Sequence, residues 1–163
     1  MKVLVVCSGN ICRSPMAAEY LRDRVARSGL SHVVVDSAGT LGIRNCGASP
    51  EAVQALREIG LDLSGHRSKG LAETDMRTAD LVLVMSREHL ETLARAFPHE
   101  RAPRRLLRAF EGGPDPVPNE DALDLEDPIG APIEAYRERL RTVIRCVDHL
   151  VLHLRYGGSR APD

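Results

Sequence analysis

The sequence predicts an α/β fold with a parallel sheet covered by helices on both faces. Three observations carry that expectation. Short apolar runs rich in β-branched residues recur at Val3-Leu4-Val5-Val6, Val33-Val34-Val35 and Leu81-Val82-Leu83-Val84. Amphipathic helical patterns fall between them, and helix start and stop residues bracket those patterns. An unbroken apolar run, unlike an alternating one, suits a strand buried on both faces, and strand–helix alternation suits parallel pairing. At 163 residues, 43% apolar and 28% charged, the chain is expected to form one domain over 1–163 with a core that needs no staples.

Val3 to Val6 is the first strand. Ser14-Pro15 then reads as an N-cap with proline at the first helical position, and Ala17, Leu21 and Val25 mark one face at spacings of four. After the second strand, Ser49-Pro50 repeats the start signal before Ala52, Val53, Leu56 and Ile59, and Gly60 supplies a stop. After the third, Ser86 opens a helix with Leu90, Leu93 and Phe97 on one stripe, ended by Pro98. Arg105-Leu106-Leu107 is a weaker fourth strand. The longest helix spans about 132–155, where Ile133, Tyr136, Leu140, Val143, Val147, Leu150 and Leu154 are spaced by three, four and seven. Between them, Glu111 to Glu126 holds prolines, glycines and acids without periodicity, and reads as either a disordered insertion or a functional loop leading into Asp127-Pro128.

A formal net charge of −1 from 22 basic and 23 acidic residues gives no field that would draw the chain to nucleic acid or a membrane. Aromatics are 3% of the chain with no Trp, which disfavours a base-stacking platform. The first apolar run is too short for a signal segment or a membrane span, and four cysteines at 7, 12, 46 and 146 form no C-x2-C pair. The expectation is a cytoplasmic monomer without metal or other cofactor. His149 and His153 share a helix face at metal-ligand spacing but lack a third ligand. Arg101, Arg104, Arg105 and Arg108 read as a solvated basic face, with a nucleic-acid- or phosphopeptide-binding module without turnover as the rival of a different class.

The chemistry concentrates at Cys7-Ser8-Gly9-Asn10-Ile11-Cys12-Arg13-Ser14, where a buried strand gives way to a helix. In open parallel sheets ligands bind at such strand ends. Five residues between Cys7 and Arg13 suffice to wrap backbone N–H groups around a tetrahedral oxyanion, and the helix start adds free donors and positive potential. Arg13 offers a planar fork to two phosphate oxygens, and the same positive field favours a thiolate at Cys7. Gly9 is expected to supply the positive φ of a tight cradle. Together these parts describe nucleophilic attack on a bound phosphoryl group. Such an intermediate needs a proton donor for the leaving oxygen and later a base for water, and Asp127 before Pro128 is the candidate.

The stretch from Val6 to Ala17 resembles the phosphate-binding loop of the low-molecular-weight protein tyrosine phosphatases. Asp36-Ser37-Ala38-Gly39-Thr40, Leu63-Ser64-Gly65-His66-Arg67-Ser68, Ala79 to Met85, and Asp127-Pro128 follow in the family's order. The resemblance implies a three-layer fold with a four-stranded parallel sheet (phosphotyrosine phosphatase I-like) and metal-free hydrolysis of a phosphorylated protein or small phosphomonoester. It implies Cys7 as nucleophile, Arg13 as phosphate ligand, and Asp127 as general acid and then base. Ser8, Gly9, Asn10, Ile11, Cys12 and Ser14 would form the phosphate loop, with Ser14 donating to the departing Cys7 sulfur. Asn10, Ser37 and His66 would hold the loop's backbone.

Two departures bear on substrate. Phosphotyrosine-directed members commonly carry two aromatics after Asp-Pro, where this chain has Ile129-Gly130, and Leu41 to Gly47 contains no aromatic either. The Asp127-Pro128-Ile129-Gly130 pattern is closer to a bacterial branch that includes protein arginine phosphatases, whereas Ile11 is the residue associated with phosphotyrosine activity. The primary reading is a protein tyrosine phosphatase, and the alternative is an arginine phosphatase. Arsenate reduction would need a cysteine relay that Val82 to His89 lacks. Cys12 has two open readings, a partner that captures an oxidised Cys7 as a disulfide or a filler beneath the loop, and Cys146 reads as core.

Overall fold

The computed structural model describes residues 1–118 and 122–157; residues 119–121, inside the aperiodic segment, and 158–163 lie outside the described residues. Four strands, β1 (Lys2–Cys7), β2 (Val34–Gly39), β3 (Leu81–Val84) and β4 (Arg104–Leu106), form one parallel sheet in the order β2-β1-β3-β4. Register pairs Val5 with Ser37 and Cys7 with Gly39 on one side of β1, and Val6 with Val84 on the other.

The pleat sorts the β1 and β3 apolar runs between two cores. Val3, Val5 and Cys7 of β1, with Leu81 and Leu83 of β3, face a large cluster built with helices α1 (Arg13–Arg27), α2 (Pro50–Arg57) and α5 (Ile133–Tyr156). Leu4, Val6, Val82 and Val84 face the opposite cluster, which includes Met76 of α3 (Glu73–Thr78) and Leu93 of α4 (Arg87–Ala96). Burial on both faces is the physical reason these two runs do not alternate. In the run that enters the edge strand β2, Val33 and Val35 are buried and Val34 is exposed, so the expectation of burial on both faces does not hold there.

Several boundaries differ from the sequence reading. β2 starts at Val34 and runs to Gly39, because parallel pairing with β1 outweighs the modest strand propensity of Asp36 and Ser37. The fourth strand ends at Leu106, and Leu107–Phe110 forms a single 3-10 turn. α1 begins at Arg13 with Cys12 at its N-cap and no side-chain cap, so Ser14 is not the cap; its hydroxyl is committed to Cys7 instead, at 3.0 Å. Pro15 still falls in the first turn, where its missing N–H has no intrahelical acceptor to lose. Ser49 does cap α2, accepting from the Ala52 amide at 3.3 Å. Ser86 precedes α4 without capping it and bonds His89. α3 is too short to show a period, and is anchored by Asp75 accepting from the Ala72 amide.

Candidate active site

β1 is followed across one edge by β2 and across the other by β3, so the sheet's strand order reverses beside the end of β1. At that switch point the loops leaving adjacent strands part and open a crevice. Cys7 closes β1 at its floor, residues 8–12 form the loop, and the first turn of α1 points its free amides back toward it.

The loop is held by Asn10, which is fully buried and takes the left-handed backbone conformation at φ 55°. Its Nδ2 donates to Ser14 Oγ and to Ser37 Oγ, both at 2.9 Å, and its Oδ1 accepts from the Lys69 amide at 3.0 Å. His66 Nε2 donates to the Asn10 carbonyl at 2.7 Å, and burial lowers the imidazole pKa, consistent with a neutral ring. Lys69 is itself fixed by ion pairs to Asp36 at 2.7 Å and Asp75 at 2.9 Å. Positive φ at Asn10 rather than at Gly9 corrects the expectation for the glycine, whose φ is not positive. Asparagine tolerates the left-handed region when its side chain bonds locally, which Asn10 does on every side. Glycine is required instead at Gly39, where a Cβ would lie 2.7 Å from the Ser8 carbonyl oxygen and 3.0 Å from the Asn10 amide.

This bracing turns polar groups inward. The Asn10 amide donates to Cys7 Sγ at 3.3 Å, and Ser14 Oγ lies 3.0 Å from the same sulfur. The amides of Gly9, Ile11 and Cys12 find no acceptor among the described residues, nor do those of Arg13 and Ser14 in the first turn of α1. A run of unpaired donors around a sulfur is an anion nest. Arg13, 4% exposed, reaches the rim of that nest. Its Nη1 donates to the Leu125 carbonyl at 3.0 Å, while Nη2 donates to Asp127 Oδ2 at 2.7 Å and to Ser8 Oγ at 3.3 Å. Asp127 also accepts from the Ile129 amide at 3.2 Å, which bends the chain over the pocket mouth.

The structure thus brings together Cys7, Ser8, Gly9, Asn10, Ile11, Cys12, Arg13, Ser14, Ser37, His66 and Asp127. Cys12 turns its amide to the nest and lines the cleft, while its thiol donates to Ser49 Oγ and contacts Tyr136 Oη, each at 3.4 Å, and burial pushes its pKa up. All four cysteines are free thiols. Cys146 is fully buried in α5, where burial pushes its pKa up to about 12. His149 Nδ1 lies 2.8 Å from the Phe110 carbonyl. Two arginines of the basic cluster are spent on structure, Arg104 on the Phe97 and Glu100 carbonyls and Arg108 on Glu111.

Sequence reasoning missed three contributors. Leu125 is buried, its amide donates to the Met85 carbonyl at 2.7 Å, and so the end of the aperiodic segment is a strap across β3 that presents a carbonyl to Arg13. Lys69 carries no motif, since its role is played largely by its backbone. His89, isolated in sequence, bridges Ser86 and Ser8. Above the nest, Ile11, Leu41, Ile43 and Ile129 line an apolar cleft of about 160 Å³ with Asp127 at its edge.

Comparison with known proteins agrees with this geometry. The family described as low molecular weight phosphotyrosine protein phosphatase matches residues 2–157. A low molecular weight protein-tyrosine-phosphatase of Streptomyces coelicolor is 40% identical, covering 87% of this chain and 86% of the relative. A protein-arginine-phosphatase of Geobacillus stearothermophilus is 36% identical, covering 88% of this chain and 90% of the relative. Among solved structures, a YwlE arginine phosphatase mutant carrying a phosphorylated active-site serine superposes with a TM-score of 0.86 at 33% identity, covering 96% and 97% of the two chains.

Proposed function

The chain belongs to the low molecular weight phosphotyrosine protein phosphatase family, and from that premise we propose that it is a single-domain protein tyrosine phosphatase that carries the phosphoryl group on Cys7. The observation that supports this most is the Cys7 sulfur at the floor of an amide-lined nest whose rim holds Arg13 and Asp127.

Substrate phosphate enters the nest and takes the free loop amides and the Arg13 fork, displacing Asp127 from Nη2. Cys7 Sγ then attacks phosphorus as the bond to the leaving oxygen breaks, and the Asp127 carboxyl delivers a proton to that oxygen. The loop amides and guanidinium favour the transition state because they are already aimed at the equatorial oxygens. In the second step Asp127, now a carboxylate, takes a proton from water as its oxygen bonds phosphorus. The S–P bond breaks, and the Ser14 hydroxyl donates to the returning thiolate. All of this uses groups of the chain, and no helix among the described residues is long and apolar enough to cross a membrane; a cytoplasmic site of action, on phosphorylated protein or a small phosphomonoester, fits that reading.

A second reading, protein arginine phosphatase, is favoured by the cleft. Its walls are Leu41, Ile43 and Ile129, so a phenol ring has no aromatic partner to stack on. The test is kcat/KM on matched phosphotyrosine and phosphoarginine peptides without added metal. Preference for phosphotyrosine is expected, with turnover abolished and phosphate binding retained in Cys7→Ser. Preference for phosphoarginine would assign the second reading, and substantial turnover by Cys7→Ser would end both.

A further inference from the structure

His89 is buried beside the loop, at 2% exposure, and has no part in the chemistry above. It stands in the first turn of α4, on the β3 side of the crevice. Its Nδ1 lies 3.0 Å from Ser86 Oγ and its Nε2 lies 2.9 Å from Ser8 Oγ. Ser8 Oγ accepts in turn from Arg13 Nη2 at 3.3 Å. The relay Ser86–His89–Ser8–Arg13 therefore ties the end of β3 to the guanidinium across the switch point.

Burial, reinforced by the nearby Arg13 charge and opposed by Asp127 and Asp124, brings the imidazole pKa down to about 4. The ring is then neutral at neutral pH, with one N–H and one lone pair. Of the two hydroxyls it bridges, one must donate to it and the other accept from it. The orientation of the Ser8 hydroxyl is thereby tied to that of Ser86, leaving a Ser8 lone pair for Arg13. Arg13 is otherwise held by Leu125 and Asp127. When phosphate displaces Asp127, Ser8 and the Leu125 carbonyl are its remaining protein anchors among the described residues.

We propose that His89 is a positioning residue of the phosphatase reaction, acting through Ser8 to hold the Arg13 fork at the phosphate site. The role rests on Arg13 being the phosphate ligand under the function proposed above. His89→Ala is expected to lower kcat/KM about tenfold and to weaken binding of inorganic phosphate, measured by calorimetry, to a similar degree. His89→Gln, which restores a polar atom toward Ser8, should recover much of both.

A double-mutant cycle with Ser8→Ala separates this role from a merely structural one. If His89 acts through Ser8, adding His89→Ala to Ser8→Ala causes little further loss; full additivity overturns the proposal. Leu93→Ala, a cavity in the same helix, should lower the urea midpoint while leaving kcat/KM per folded molecule unchanged. Should His89→Ala fail to fold, Ser86→Ala keeps the imidazole, removes its far anchor, and is expected to give a smaller loss in the same direction. Phosphate affinity unchanged in these variants overturns the proposal. A wild-type protein that binds phosphate with the coupling intact but turns over no phosphopeptide would sink the proposed function while supporting the relay.

Discussion

At Asn10, one side chain satisfies three partners while its backbone sits at φ 55°. Asn10→Ala leaves the Lys69 amide and two hydroxyls short of a partner, and puts a residue poorly suited to the left-handed region at that bend. The expected cost is about 2–4 kcal/mol by urea denaturation, with a larger proportional loss in kcat/KM. Asn10→Gly should recover part of the stability, since it relieves the backbone, but little of the activity. Two histidines, His89 buried and His66 half-buried, add a pH dependence. His66 and His89 both have folded pKa values below the ordinary 6.5, the latter about 4, through burial first. The unfolded chain then binds more protons as pH falls, so their contribution to stability is present above pH 6.5 and is lost toward pH 4. His89 alone should make the protein about 2 kcal/mol less stable at pH 5 than at pH 7. Urea midpoints at both pH values check this, and the difference should shrink in His89→Gln.

Among the elements, β2 does more than extend the sheet. It delivers Ser37 to Asn10 and ends at Gly39, whose missing side chain lets the loop backbone pass. Gly39→Ala would drive a methyl into the Ser8 carbonyl and the Asn10 amide, neither of which can rotate away. Activity is expected to fall by about 100-fold, from displacement of the loop amides, while stability drops by about 2–3 kcal/mol. Retention of more than half the wild-type kcat/KM would show that the loop tolerates a shift. The elements also mark where sequence is a good guide. Buried strands and the long α5 were legible because unbroken apolar runs and a sustained period are direct records of burial. α3 was not, since six residues with one buried apolar side chain, Met76, leave no period to read. Ser14 was misassigned because a serine before proline looks like a cap whether its hydroxyl serves the helix or a sulfur.

In the whole molecule, the sheet gathers at one crevice residues that are far apart in sequence. Cys7 and Arg13 were legible together because five residues separate them, Asp127 because the chemistry needs an acid and Asp-Pro follows the aperiodic segment, and the resemblance to a known family supplied Ser37 and His66. Nothing local announces Leu125, Lys69 or His89, whose roles arise from contacts over 59 to 112 residues with backbone groups or hydroxyls and exist only once the strap, β2 and β3 converge. The cleft above them is apolar and lacks aromatic walls, so affinity for the substrate falls mainly on the phosphate, and catalysis on what the nest does to it. The central claim is covalent transfer to Cys7, and rapid acid quench of turnover on a substrate with labelled phosphorus, followed by peptide mapping, tests it most directly. Label on the peptide containing Cys7, formed at a kinetically competent rate and absent in Cys7→Ser, is the result expected. Turnover with no labelled protein, or label on another residue, would contradict it.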